Sequence, residues 1–257
     1  MVAALFHKAP GAAGFLACAL LTAAPVRADV ASALDEVNIG GALALTSDYI
    51  YRGVSESDGH AAVQGDLHLH GNDGTFLGVW ASSRDPDLEP GADAVIEVYL
   101  GHRFDLGASW SSTLTARSHY YVGSSRYEPS ADYQELSAAL TYLDRWSLSL
   151  TAVPNAVRYW VYRRLSRSPA WIADASGQWS IGEQFFATGG AGYYYSSGTG
   201  AGMERATGYA YGNVGLAWEV RRLRFDVGYF LAQEAAQRSF PYPIANRHFA
   251  ATVAWHF

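Results

Sequence analysis

The chain has 257 residues with a formal charge of −6, an acidity that argues against a nucleic-acid partner, whose phosphates call for a basic surface. A mean hydropathy of −0.04 is too polar for a helical membrane protein. One cysteine, Cys18, leaves no disulfide framework.

The N-terminus reads as a removable address. Lys8 precedes an uncharged stretch from Ala9 to Val26 holding Phe15-Leu16-Ala17-Cys18-Ala19-Leu20-Leu21, and Val26-Arg27-Ala28 is a small-residue exit. That is the layout of a secretory signal peptide cleaved near Ala28. Pro10, Gly11, Gly14 and Pro25 confine the apolar part to about a dozen residues, against roughly 20 for a membrane span. Acylation at Cys18 is the poorer reading, because the apolar run continues past it. Residues 29–257 then form one domain without cysteine or lysine, in which 16 arginines face 24 acidic residues and leave −8.

From Val37 onward side chains alternate with the period of two that a strand imposes. Val37, Ile39, Leu43, Leu45, Tyr49 and Tyr51 share one face, opposite Asn38, Thr46, Asp48 and Arg52. Val63, Leu67 and Leu69 oppose Gln64, Asp66, His68 and His70. Ile96, Val98 and Leu100 oppose Glu97 and Tyr99, and Trp110, Leu114 and Tyr120 oppose Thr113, Thr115, Arg117 and His119. Leu136, Leu140 and Tyr142 oppose Glu135, Ser137 and Thr141, and Leu223 to Leu231 oppose Arg224 and Asp226. Short turns (72–74, 104–107, 143–145, 180–183, 220–222) alternate with longer polar loops (53–60, 85–92, 122–131, roughly 163–169, 197–206, 233–246). Six loops and five turns join twelve strands, all-β, as in a transmembrane antiparallel up-and-down β-barrel of the outer membrane. Pro154 interrupts the pattern within 146–163, and a split there gives fourteen strands. A secreted sandwich would show the same alternation, but aromatics gather at strand ends (Tyr49/Tyr51, Tyr120/Tyr121, Tyr142/Trp146, Trp255/Phe257), where interfacial girdles lie.

The final segment, Arg247 to Phe257, places Phe249, Ala251, Val253, Trp255 and Phe257 on one face and His248, Thr252 and His256 on the other. An aromatic end preceded by a second aromatic two residues earlier resembles the terminal strand of bacterial outer-membrane barrels. That resemblance makes Trp255 and Phe257 the insertion signal and the barrel-insertion machinery a partner. Thr46-Ser47-Asp48-Tyr49-Ile50-Tyr51-Arg52-Gly53-Val54-Ser55-Glu56-Ser57 resembles the opening motif of the proteobacterial Gcw_chp family, also described as TorF-type porin candidates. Gly78-Val79-Trp80-Ala81-Ser82-Ser83 and Glu97-Val98-Tyr99-Leu100-Gly101 are later echoes; Glu56 and Glu97 depart from the glutamine and aspartate the family favours. The resemblance implies a Gram-negative outer-membrane barrel whose porin activity is itself inferred.

On a barrel strand the expected lumen-facing groups are Asp48, Arg52, Asp66, His68, Glu97, Arg117, Glu135 and Asp226, with Tyr49 and Tyr51 turned to lipid and Gly53 at the exit into a loop. A basic side chain on the lipid face costs roughly 2–4 kcal/mol at mid-bilayer. Glu97 and Glu135 each interrupt an otherwise uncharged inner face and are the candidates for setting ion preference. Neither His68, His70 and His119 nor any other group falls at metal-ligand or catalytic spacing, so no metal, cofactor or enzyme activity is expected. Gly189-Gly190-Ala191-Gly192 lacks the lysine of a phosphate loop and reads as relief of crowding in a strand. Arg163, Arg164 and Arg167 form the one dense basic cluster, with lipopolysaccharide phosphates as their expected contact; a solvated, arginine-biased loop is the alternative. The expected function is passive passage of small polar solutes through a barrel set in outer-membrane lipid. A non-channel barrel that presents loops or supports the envelope stands second, and a barrel enzyme third.

Overall fold

The computed structural model of the chain describes residues 37–88, 90–123, 131–159, 165–197, 206–238 and 247–257; the expected signal peptide, residues 1–28, lies outside them. Its strands are β1 (Val37–Thr46), β2 (Ile50–Tyr51), β3 (Val54–Ser55), β4 (Ala62–Gly71), β5 (Thr75–Ser83), β6 (Ala94–Asp105) and β7 (Trp110–Val122). Then follow β8 (Tyr133–Tyr142), β9 (Trp146–Tyr159), β10 (Leu165–Ser180), β11 (Phe185–Ser196), β12 (Thr207–Val220), β13 (Leu223–Ala232) and β14 (His248–His256). β1 and β4–β14, twelve strands in all, make one closed antiparallel barrel, and β2 and β3 form a separate two-stranded hairpin. Closure removes the sheet edges that a sandwich would keep. It is also what hydrocarbon demands, since each unpaired backbone group there costs several kcal/mol.

The burial pattern is that of a water-soluble protein turned inside out. Ile39 and Phe249 are each 68% exposed on the outer face, whereas His119 and Glu135 are each 2% exposed within. Aromatic pairs mark the short-turn rim, with ring centroids 4.7 Å apart for Trp110–Tyr142, 4.5 Å for Trp146–Trp179 and 5.2 Å for Trp218–Phe225. Tyr229 and Phe249 pair at 4.8 Å toward the loop rim. An apolar belt between aromatic girdles is the exterior a bilayer selects.

Pro154 does not split the wall. β9 runs unbroken past it, and the β9–β10 register shifts where Ser168 pairs with Ala156 but Ala170 with Val153, leaving Pro169 opposite Pro154 and Asn155. Two prolines share one bulge, where neither owes the ladder an N–H. Asn155 repairs the neighbouring ladder with its side chain: Gln134 N donates to Asn155 Oδ1 at 3.0 Å, and Asn155 Nδ2 donates to Gln134 Oε1 at 2.7 Å.

The seam joins β14 to β1, from Thr46 opposite Thr252 to Ala42 opposite His256. Beyond that register Gly41 and Phe257 exchange backbone hydrogen bonds at 3.3 and 3.1 Å. A Cβ on Gly41 would sit 2.6 Å from the Phe257 ring, so the glycine is the seat of that aromatic.

One expectation is overturned. The strand read from Val37 to Arg52 stops at Thr46, whose Oγ1 donates to Asp48 O at 2.9 Å as the chain bends inward. Tyr49 and Tyr51, expected against lipid, lie inside the barrel, Tyr49 only 3% exposed and 5.5 Å from the Trp80 ring. Asp48 and Arg52 cannot face lipid cheaply, and inside they find partners while the rings between them find apolar wall. Gly53 likewise marks no exit: Arg52 (φ 50) and Gly53 (φ 80) are the paired positive-φ positions of a two-residue hairpin turn. A Cβ on Gly53 would meet Tyr211 Cβ at 2.7 Å and Ala232 Cβ at 2.8 Å, so the tip rests on the wall at β12 and β13.

Candidate functional site

The β2–β3 hairpin crosses the lumen and sends side chains to four sectors of the wall. Tyr49 packs with Phe76, Trp80, Val95 and Tyr99 of β5 and β6, and Ile50 packs with Phe230 and Ala250 of β13 and β14. Val54 joins Val153, Ile172, Tyr194 and Tyr209, capped by Ala236 from the 3-10 turn Glu234–Arg238. Tyr209 Oη donates to Arg52 O at 3.0 Å. Arg52 reaches β8, where Nη1 and Nη2 donate to Glu135 Oε1 and Oε2 at 2.6 and 3.0 Å, and Tyr51 Oη donates to Glu135 Oε1 at 3.3 Å.

The root of the hairpin is equally tied. Asp48 Oδ1 accepts from Ser55 Oγ (2.6 Å) and Ser57 Oγ (2.8 Å), and His248 Nε2 lies 2.9 Å from Asp48 Oδ2. Ser47 N donates to Ala251 O at 2.8 Å, and Ala251 N donates to Ser47 Oγ at 3.0 Å. Glu56 accepts from Arg84 Nε at 2.6 Å, and the fully buried Arg84 guanidinium lies 4.9 Å over the Tyr121 ring. Thus the segment Thr46–Ser57, singled out in the sequence as a motif, is the plug and its fastenings.

Glu135 belongs to a longer chain of charge on the β6–β8 wall. His119 lies between two carboxylates, Nδ1 3.2 Å from Glu97 Oε1 and Nε2 3.6 Å from Glu135 Oε2, and stacks on Tyr133 at 4.2 Å. Arg117 Nε lies 3.3 Å from Glu97 Oε2. Register sets Glu97 directly opposite His119, and the diagonal contacts Arg117–Glu97 and His119–Glu135 complete the order Arg52–Glu135–His119–Glu97–Arg117. Glu97 and Glu135 are therefore paired groups and not the isolated wall charges their strands suggested.

The remaining inward groups are paired elsewhere. Asp66 Oδ2 accepts from Tyr99 Oη at 2.7 Å, and His68 Nδ1 lies 2.6 Å from Asp66 Oδ1. Asp226 receives Arg224 Nε and Nη2 at 2.8 and 2.9 Å on the far wall. Gly192 makes room there for the Tyr211 hydroxyl, which donates to Asp174 at 2.5 Å. Arg167 Nη1 donates to Asp132 O (2.8 Å) and Asn155 O (3.0 Å), while Arg163 and Arg164 lie outside the described residues. Glu56, Arg84 and Tyr209 were not foreseen, and His119 was set aside. Only the Tyr-Arg-Gly-Val turn signal could have pointed to the hairpin they hold.

The hairpin leaves space on both sides. Toward the short turns a chamber of about 900 Å³, part of it open to solvent, is lined by Asp48, Tyr49 and Ile50 and by the wall from β10 round to β4. Toward the loops a second space of about 490 Å³ lies among Tyr51, Arg52, Val54, Tyr133 and Tyr209.

Residues 30–157 match the Gcw_chp family, described as a bacterial protein of unknown function. The resemblance read from Thr46–Ser57 is thereby borne out. The Gcw_chp match runs into β9, so it takes in the hairpin, Arg84 and every member of the Arg52–Arg117 charge chain. No curated protein matches the sequence. Among solved structures, the NanC porin has a TM-score of 0.51 at 10% identity, covering 85% of this chain and 98% of that one. An outer membrane channel from Pseudomonas putida F1 gives 0.48 at 10% identity over 86% and 94%. The toluene transporter TodX of P. putida gives 0.43 at 10% identity over 86% and 90%. At such identities the NanC likeness speaks for the barrel fold of this chain and for nothing finer.

Proposed function

We propose that the mature chain, freed of residues 1–28, is a narrow channel of the Gram-negative outer membrane through which small polar solutes pass passively. The observation that carries this reading is a lumen lined with paired charges, amides and hydroxyls inside a wall whose outer face is apolar. A purely structural barrel gains nothing from polar lining that it could not obtain from a packed apolar core. The hairpin is the constriction, and the space on each side of it is the solute path. Trp255 and Phe257 serve insertion, and the barrel performs no covalent chemistry. Planar-bilayer recording of the refolded protein tests this: discrete conductance steps in KCl support it. A protein that folds by heat-modifiable gel mobility yet stays silent refutes it. The second reading, a plugged barrel that presents loops, is favoured by one observation, the anchoring of the hairpin to four sectors of the wall.

A further inference from the structure

We propose that the chamber on the short-turn side of the hairpin is a binding subsite for a neutral polyhydroxylated solute, a sugar of one or two rings. This rests on the channel reading above and names its substrate class. The chamber has two unlike sides. Tyr49, Ile50 and Phe230 give it an apolar, ring-bearing side, whereas Ser176, Thr188 and Asn213 give it a hydroxyl and amide side. Among the described residues those three polar side chains make no hydrogen bond, so their donors and acceptors are available. Gly190 keeps the Asn213 amide clear, since a Cβ there would lie 3.1 Å from Asn213 Oδ1.

Charge is present in the chamber, but its carboxylates are buried or paired. Asp48 is buried, with Oδ1 taken by Ser55 and Ser57 and Oδ2 2.9 Å from His248 Nε2, and both oxygens of Asp226 accept from Arg224, so neither offers a cation an open carboxylate. Arg145, the one cationic side chain on the lining, sits exposed in the turn between β8 and β9, at the chamber's edge. What the chamber presents is mixed donor and acceptor capacity opposite aromatic and aliphatic surface. A pyranose matches this, with its C–H face against rings and its hydroxyl rim toward amides and hydroxyls. A free ion satisfies only the second half and an apolar solute only the first.

The test uses maltose and glucose as neutral probes, glucuronate as the anionic probe and glucosamine as the cationic one. In bilayers, maltose should reduce KCl conductance saturably, with glucuronate and glucosamine weaker. Thr188→Val combined with Asn213→Leu should weaken that block about tenfold, the worth of two modest hydrogen bonds, and Thr188→Ser should leave it in place. Normal conductance with no sugar block, or with block by a charged probe alone, overturns the sugar assignment and leaves the channel standing. If wild type conducts nothing, the channel reading falls instead. Saturation-transfer NMR of maltose with the folded, detergent-solubilised barrel then decides the subsite: transfer lost in the double variant supports it, and no transfer overturns it.

Discussion

Replacing Glu135 by glutamine should loosen the hairpin before it alters ion preference. The substitution keeps shape and removes the charge that Arg52 meets twice, at 2.6 and 3.0 Å, with Arg52 only 12% exposed. Breaking a buried ion pair from one side costs about 3–5 kcal/mol, a shift of roughly 10²- to 10³-fold in the docking equilibrium at 1.4 kcal/mol per decade. The apolar anchors Ile50 and Val54 oppose release with roughly 1.5–3 kcal/mol each. Their sum is comparable with the loss, so the variant should open often without staying open. Val54 is 2% exposed when docked, and Cys18 is the one cysteine of the chain, within the expected signal peptide. A Val54→Cys thiol therefore reports docking, through its rate of labelling by a soluble maleimide. Labelling should accelerate at least tenfold when Glu135→Gln is added, alongside more frequent conducting events. Unchanged labelling in a barrel that still shows heat-modifiable mobility would refute the latch.

Glu56→Gln should act similarly at the root, because it removes the carboxylate charge beside the fully buried Arg84 guanidinium; its penalty appears as lower urea resistance, and equal resistance counts against it. Deleting Phe257, which removes the last ladder bonds and the ring on Gly41 together, or converting Trp255 and Phe257 to serine, which removes the rings alone, should cut outer-membrane yield; wild-type yield in both variants would show the seam needs neither ring. Gly41→Leu should reproduce that defect without touching the terminus, and normal insertion of this variant would remove the glycine from the account. Gly192→Val should destabilise the far wall by driving a side chain into Tyr211 and Asp174; thermal unfolding within a degree or two of wild type would contradict it.

The barrel was legible because strand geometry writes itself into sequence two residues at a time. Ile39, Leu43 and Leu45 facing out against Thr46 facing in needs no knowledge of partners. Turn length told the two rims apart, and a closed twelve-stranded wall followed. What misled was the same rule carried six residues too far: alternation persists through Asp48, Tyr49, Tyr51 and Arg52, so a segment that leaves the wall still reads as wall. Two-residue strands are too short to show a period, and only Arg52-Gly53 between β-forming neighbours marks the turn. The charge chain was hidden for a different reason. Glu97, Arg117, His119 and Glu135 sit on three strands, and their union depends on a register that no single strand contains.

The seam and the plug share their fastenings. Ser47 is bonded to Ala251, Thr46 to Thr252, and Asp48 faces His248, so the strand that closes the cylinder is also the strand that grips the hairpin where it departs from the wall. The tip waits on β8 and β12 as well, through Glu135 and Tyr209, which follow it by 83 and 157 residues. Its partners therefore lie far behind it in the chain. A cylinder in which β14 had not met β1 would therefore lack the strand that holds the root of its hairpin.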